Sequence, residues 1–213
     1  MHHFTQGKTT KQAHKAIPEG LFEEEQGQDG FFGPVSHLLK EKPSTRWINI
    51  EGPLKPRMYD LVKIATGEAP LRLLYNSDVT ISSRWIHPKQ IESLRAERNA
   101  DGDLLYFCHK GSGKLLSEYG VLEFRAGSYL VVHKCITHAF VVEESCHFLV
   151  VENRTSHYRE PDRGMVGRHA VYDINAIGKP NLDLQVEFTR NAKLDIRELA
   201  IKHSDDLTKI TYD

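Results

Sequence analysis

Apolar residues are densest between Asp101 and Glu152, and they come in short runs. LLYFCH (104–109), VLEF (121–124), YLVVH (129–133), HAFVV (138–142) and CHFLVVE (146–152) alternate with KGSGK, RAGS and EES. Runs this short, rich in aromatic and β-branched residues and parted by Gly and Ser, predict consecutive antiparallel strands. Upstream, VTISSRWI (79–86) alternates as a half-buried strand does, and LRLLY (71–75) and MYDLVKI (58–64) are further strand candidates. WINIEG (47–52) predicts a half-exposed strand that Pro53 and Pro56 break. Asn76-Ser77-Asp78 and Asp101-Gly102 supply turns.

The flanks read differently. Residues 1–45 form a polar arm interrupted by Gly and Pro. In it, Glu23-Glu24-Glu25 is expected on a solvated face. The Gly30–Pro34 cluster, with two adjacent Phe, is expected to pack on the domain or on a second subunit. VSHLLKEK (35–42) suits a helical turn or a short strand. After Glu152, residues 153–183 are a long polar loop, a length that in compact domains goes with function or an interface. LQVEFTR (184–190) predicts a strand, KLDIRELAIKH (193–203) a helix or a strand, and LTKITYD (207–213) a strand. The expected organisation is an arm (1–45), a mainly all-β barrel domain (46–190) and a connector (191–213).

Composition changes this picture little. The 213 residues are 39% hydrophobic and 27% charged, as in a soluble globular protein, and the net charge of −1 gives no field for nucleic acid or an anionic membrane. The chain contains neither an apolar run of about 18 residues nor an apolar leader core, which predicts no membrane span and a cytoplasmic location. Cys108, Cys135 and Cys146, odd in number and without a Cys-x-x-Cys pair, are expected as reduced thiols.

Twelve histidines raise the question of metal. His133-Lys-Cys135-Ile-Thr-His138 places three potential ligands in six residues, and imidazole with thiolate suits zinc or iron. Strand alternation, however, puts 133 and 135 on one face and 138 on the other unless a turn intervenes at 134–137. His109 is expected at a rim and His147 in a packed or hydrogen-bonded place. His157 and His169 lie among arginines that suit a carboxylate or phosphate, or a hydrated loop. Phosphate-loop, dinucleotide, serine-elbow and His-Glu-x-x-His motifs are missing from the sequence, and Lys110–Lys114 has the length of a hairpin turn.

The stretch from 101 to 152 resembles a cupin, a small antiparallel β-barrel or jelly roll. Cupins carry His-x-His, three or four residues, Glu, six residues, Gly, and then Gly, five residues, Pro-x-Gly, two residues, His. Anchored on Gly111, the first pattern puts Glu97 and Asn99 at the two His positions and Leu104 at the Glu. Anchored on Gly127, the second puts His133 at the Pro, Cys135 at the Gly and His138 at the last His. Only His138 remains of four ligands, so the barrel is expected to be metal-free. If Leu104 faces inward, so do Tyr106 and Cys108, which makes an apolar interior with a few polar tips. The ligand-pocket candidates are His138, Cys135, Tyr106 and His133.

More narrowly, GDLLYFCHKGSGKLLSEYGVLEFRAGSYLVVHKCITHAF, EGLFEEEQGQDGFFGPVSHL and EGPLKPRMYDL are similar to the N-terminal barrel of homogentisate 1,2-dioxygenase, particularly its bacterial members. The resemblance implies the non-catalytic N-terminal half of a non-haem Fe(II) ring-cleaving enzyme of tyrosine and phenylalanine breakdown. In that family the iron, its two His and one Glu, and the catalytic residues lie in a C-terminal half with no matching positions here. The resemblance therefore implies no catalytic residue and no cofactor in this chain, homogentisate as the full enzyme's substrate, and a homo-oligomer. The competing expectations are a stand-alone cupin that binds a small molecule or metal, and a structural oligomerisation domain.

Overall fold

The computed structural model describes residues 5–30, 32–63, 67, 69–89, 94–159, 173–184 and 197–213. The described residues fall into two compact units, one up to Met58 and one from Tyr59 onward.

In the first unit, β1 (Phe22–Asp29) and β2 (Phe32–Lys40) form an antiparallel hairpin in which Glu25 faces His37. VSHLLKEK thus contributes a strand, not a helical turn. In the acidic run Glu25 is exposed, as expected of a solvated face, but Glu23 is not. The Glu23 side chain is only 5% exposed and takes His14 Nδ1 at 2.9 Å and His37 Nδ1 at 3.3 Å. Glu24 bonds Ser44 and Lys40, and these hydrogen bonds, Ser44 first, hold its carboxyl at about 2. WINIEG forms no strand, and Trp47 and Ile48 stand exposed. Phe31, in the Gly-Phe-Phe-Gly cluster, lies outside the described residues.

The second unit holds β3 (Leu71–Tyr75), β4 (Val79–Ile86), β5 (Arg95–Asn99), β6 (Asp103–Lys110), β7 (Ser112–Ser117), β8 (Gly120–Arg125), β9 (Tyr129–Val132), β10 (His138–Val142), β11 (Cys146–Asn153), β12 (Glu198–His203) and β13 (Asp206–Thr211). One sheet runs β3-β4-β11-β6-β9 and the other β13-β12-β5-β10-β7-β8. Within them, β4 to β11 interleave as 4-11-6-9 and 5-10-7-8. This double Greek key is a jelly roll, and it confirms the expected all-β, cupin-like fold. Apolar residues of both sheets meet in one core, with Tyr106, Cys108 and Phe148 from the first and Leu115, Phe124 and Phe140 from the second.

Several expectations shift. MYDLVKI gives a single 3-10 turn at Leu61–Lys63. KGSGK is not a hairpin turn but a corner, because β6 and β7 belong to different sheets. Gly111 alone connects them, at φ +94°, and a Cβ there would lie 2.4 Å from Cys146 Sγ. Gly102 likewise has room for no side chain, since a Cβ would meet the Asn153 carbonyl at 2.0 Å. LQVEFTR lies mostly outside the described residues. The expected connector is sheet: β12 pairs parallel with β5, and β13 lies antiparallel on its outer edge. Leu199 of β12 is buried opposite Ala96. Among the described residues no helix is long and apolar enough to cross a membrane.

Candidate functional site

The His133–His138 cluster comes apart in three dimensions. A tight turn, closed by Ile136 N–H donating to the His133 carbonyl, separates its members. Cys135 sits in the turn, exposed, at φ +66°. His133 points to the strand ends, and His138 enters the core. Of the four pocket candidates, only Tyr106 and His138 are brought together.

Inside the jelly roll, β10 and β5 place His138 directly opposite Glu97. Two of the residues at cupin ligand positions, 97 and 138, thus meet. Arg84, on β4 of the other sheet, reaches across with both terminal nitrogens to both Glu97 oxygens, one of them at 2.6 Å. Burial disfavours the Arg84 cation, but the charge and hydrogen bonds of Glu97 outweigh that and hold it protonated. Burial likewise opposes ionisation of Glu97, and Arg84 more than compensates, so its pKa is lowered. His138 is 2% exposed, and burial lowers its pKa and keeps the ring neutral. Its Nδ1 lies 3.2 Å from the Ile136 carbonyl, which can only accept, so Nδ1 carries the proton. Nε2 is then an acceptor, and the Tyr106 hydroxyl donates to it at 3.1 Å. Burial raises the Tyr106 pKa and keeps the phenol protonated as that donor.

This arrangement does not fit a divalent cation. The lone pairs that would bind one are taken, those of Glu97 by a guanidinium and that of His138 Nε2 by a phenol. A cation here would also face the fixed positive charge of Arg84. Leu104, at the position of the family's Glu, packs on the apolar core. Asn99 turns to a separate buried network, donating to Glu152 at 2.7 Å and to the Gly102 carbonyl at 3.0 Å. Edge-to-face contacts of Tyr106 with His138, Phe140 and Phe148 occupy the interior expected to take a small molecule.

A second polar cluster lies at the end of the first sheet. Asp103, with no side-chain exposure, accepts from the backbone N–H of Lys134 at 2.7 Å and of Tyr158 at 2.9 Å. His133 Nδ1 and His157 Nδ1 approach the same carboxylate at 2.9 and 3.1 Å. Burial pushes this carboxyl up, but the four hydrogen bonds outweigh it and leave its pKa at about 2. His109 is an exposed rim residue, as expected. His147 is buried, stacks on Trp85 at 4.5 Å and lies 2.7 Å from Ser83 Oγ, also as expected. His169 lies outside the described residues. All three cysteines are free thiols.

Sequence reasoning misses Arg84 and Asp103. Arg84 is one polar residue in an alternating strand and carries no local signal of its partner. Asp103 follows a turn dipeptide and reads as part of it.

Comparison with known proteins completes the picture. A family model described as homogentisate 1,2-dioxygenase N-terminal matches residues 40–181. A Saccharolobus solfataricus protein that carries a provisional dioxygenase name is 25% identical over 168 residues, covering 70% of this chain and 43% of that protein. The chain thus spans less than half the length of this curated relative. Among solved structures, a cupin-2 domain protein from Shewanella frigidimarina is 16% identical, covering 44% of this chain and 88% of that one at TM-score 0.38. A cupin superfamily protein from Desulfitobacterium hafniense is 19% identical, covering 47% and 93% at TM-score 0.38. At these scores the alignments add nothing to what the strand order already establishes.

Proposed function

The chain belongs to the homogentisate 1,2-dioxygenase N-terminal family, and from that premise we propose that it is the scaffold half of a non-haem Fe(II) ring-cleaving dioxygenase. In this reading the full enzyme opens homogentisate in the breakdown of tyrosine and phenylalanine. The iron and the residues that act on substrate belong to a further half. The present residues supply a rigid jelly roll and take no part in bond making or breaking. One observation carries the reading. The cupin ligand positions that meet in space, Glu97 and His138, are bound to Arg84 and Tyr106.

Oxygen consumption by the purified chain with homogentisate and added Fe(II) tests it. No substrate-dependent uptake above the buffer rate is expected. Sustained turnover that a chelator abolishes overturns the proposal. Metal analysis of the same preparation checks the competing binding-module reading. Stoichiometric iron or zinc that disappears on His138→Ala would favour that reading over the scaffold.

A further inference from the structure

Asp103, His133 and His157 come from three places in the chain, and the topology draws them to one point. Asp103 begins β6, His133 follows the last residue of β9, and His157 follows β11 by a short turn. In the sheet β11, β6 and β9 are neighbours, with Asp103 opposite Asn153 and Leu104 opposite Val132. One oxygen or nitrogen from each of the three side chains lies within 4.8 Å of the other two. We propose that these three side chains form a site for a divalent transition-metal ion, with zinc or cobalt as its probe. The proposal does not rest on the dioxygenase reading, and the site lies outside the interior where the cupin spacing excludes metal.

Three observations support it. First, the carboxylate is held in place without the histidines. The backbone N–H groups of Lys134 and Tyr158 each bond one Asp103 oxygen, which leaves a lone pair on each directed at an imidazole. Hydrogen-bonded carboxylates of this kind are the usual support around metal ligands. Second, the spacing is close to what a metal requires. Bonds of about 2.0–2.1 Å at a tetrahedral angle put ligand atoms about 3.3 Å apart. From one and the same oxygen, Asp103 Oδ2, His133 Nδ1 lies 2.9 Å and His157 Nδ1 3.3 Å away, so these two edges of a coordination shell are within a few tenths of an ångström of the length an ion needs. Third, the imidazoles are open to solvent, at 57% and 72% exposed, so an ion can enter and retain water at its free positions.

The donor set selects the ion class. Two imidazole nitrogens and one carboxylate suit Zn, Co or Ni better than Ca or Mg, which favour all-oxygen shells. On binding, each Nδ1 gives up the proton it shares with Asp103.

A second group, His14, Glu23 and His37 on the hairpin of the first unit, has similar donors. The test therefore uses the full chain carrying His14→Ala and His37→Ala, freed of metal and titrated with Co(II). One equivalent with a visible d–d band is expected, displaced by Zn(II). His133→Ala or His157→Ala should weaken binding by at least about 10–100-fold, the range seen when even an outer partner of a ligand is removed. Both rings are exposed, so both variants should fold. As a second readout, saturating zinc should raise the melting temperature of the His14→Ala/His37→Ala chain but not once the His133→Ala/His157→Ala double variant is made in it. Unchanged Co(II) affinity in that double variant overturns the site, as does the lack of saturable binding below about 1 mM, an affinity of about −4 kcal/mol.

Discussion

At the scale of single residues, the molecule is decided by which polar groups satisfy one another inside an apolar core. The Arg84–Glu97 pair is the clearest case, since the Arg84 side chain is only 14% exposed. Glu97→Leu strands the guanidinium and should cost roughly 3 kcal/mol, the lower end for a broken buried pair because Glu97 is a third exposed. Arg84→Met combined with Glu97→Leu removes both charges and should recover most of that loss. Urea midpoints of the two variants and the parent check this, and equal losses in both would contradict it. Asp103 makes a prediction in pH. Its folded pKa of about 2 lies below the ordinary 3.8, so the folded carboxylate stabilises fully above pH 3.8, and the contribution is lost as pH falls toward 2. Asp103→Asn should be less stable at neutral pH and should flatten the fall in urea midpoint between pH 4 and pH 2.

At the scale of elements, the β12–β13 hairpin is the least expected part of the fold. It is bound to β5 by a parallel ladder and by a polar anchor. Lys202 Nζ reaches Asp101 at 2.5 Å and the buried Glu152 at 2.8 Å, while Asp101 also accepts the Ser204 N–H. Lys202→Met leaves Glu152 with Asn99 as its remaining partner and should cost about 1–3 kcal/mol, the range for an unsatisfied buried group. Hydrogen exchange should then rise first in residues 198–211. Loss spread evenly over both sheets would show that the hairpin is not separately anchored. The strands themselves were largely legible. β4, β6 and β8 to β11 follow the apolar runs and their Gly and Ser breaks, because period-two alternation is a local property, while β7 begins inside the expected KGSGK turn. WINIEG shows the limit, since its alternation has no sheet to join and leaves Ile48 in solvent.

At the scale of the whole molecule, the family reading carries an expected self-association. Trp47, Ile48, Leu54 and Met58 expose large apolar surfaces within a short stretch of the first unit. Sedimentation of the purified chain should give a mass that is a multiple of 24.3 kDa. Trp47→Lys with Ile48→Lys should shift it toward the monomer. A parent that stays monomeric at about 100 μM, where a micromolar contact would be saturated, contradicts the expectation.

The stretch from Asp101 to Glu152 shows where sequence and tertiary structure divide. Alternation, turn dipeptides and short apolar runs determine by themselves that this is a β protein with its core here. The spacing from Gly111 and Gly127 determines that three of four cupin ligand positions lack the residue usual there. These are properties of residues close together in the chain. Tertiary structure alone decides that KGSGK is a corner and not a hairpin, and that Arg84 neutralises Glu97. It also decides that His133 leaves Cys135 and His138 to join Asp103 and His157. The partners there are 13 to 54 residues apart, and they meet only because strands distant in sequence become neighbours in the sheets. Nothing local records that order. It is set by burying one face of each sheet against the other.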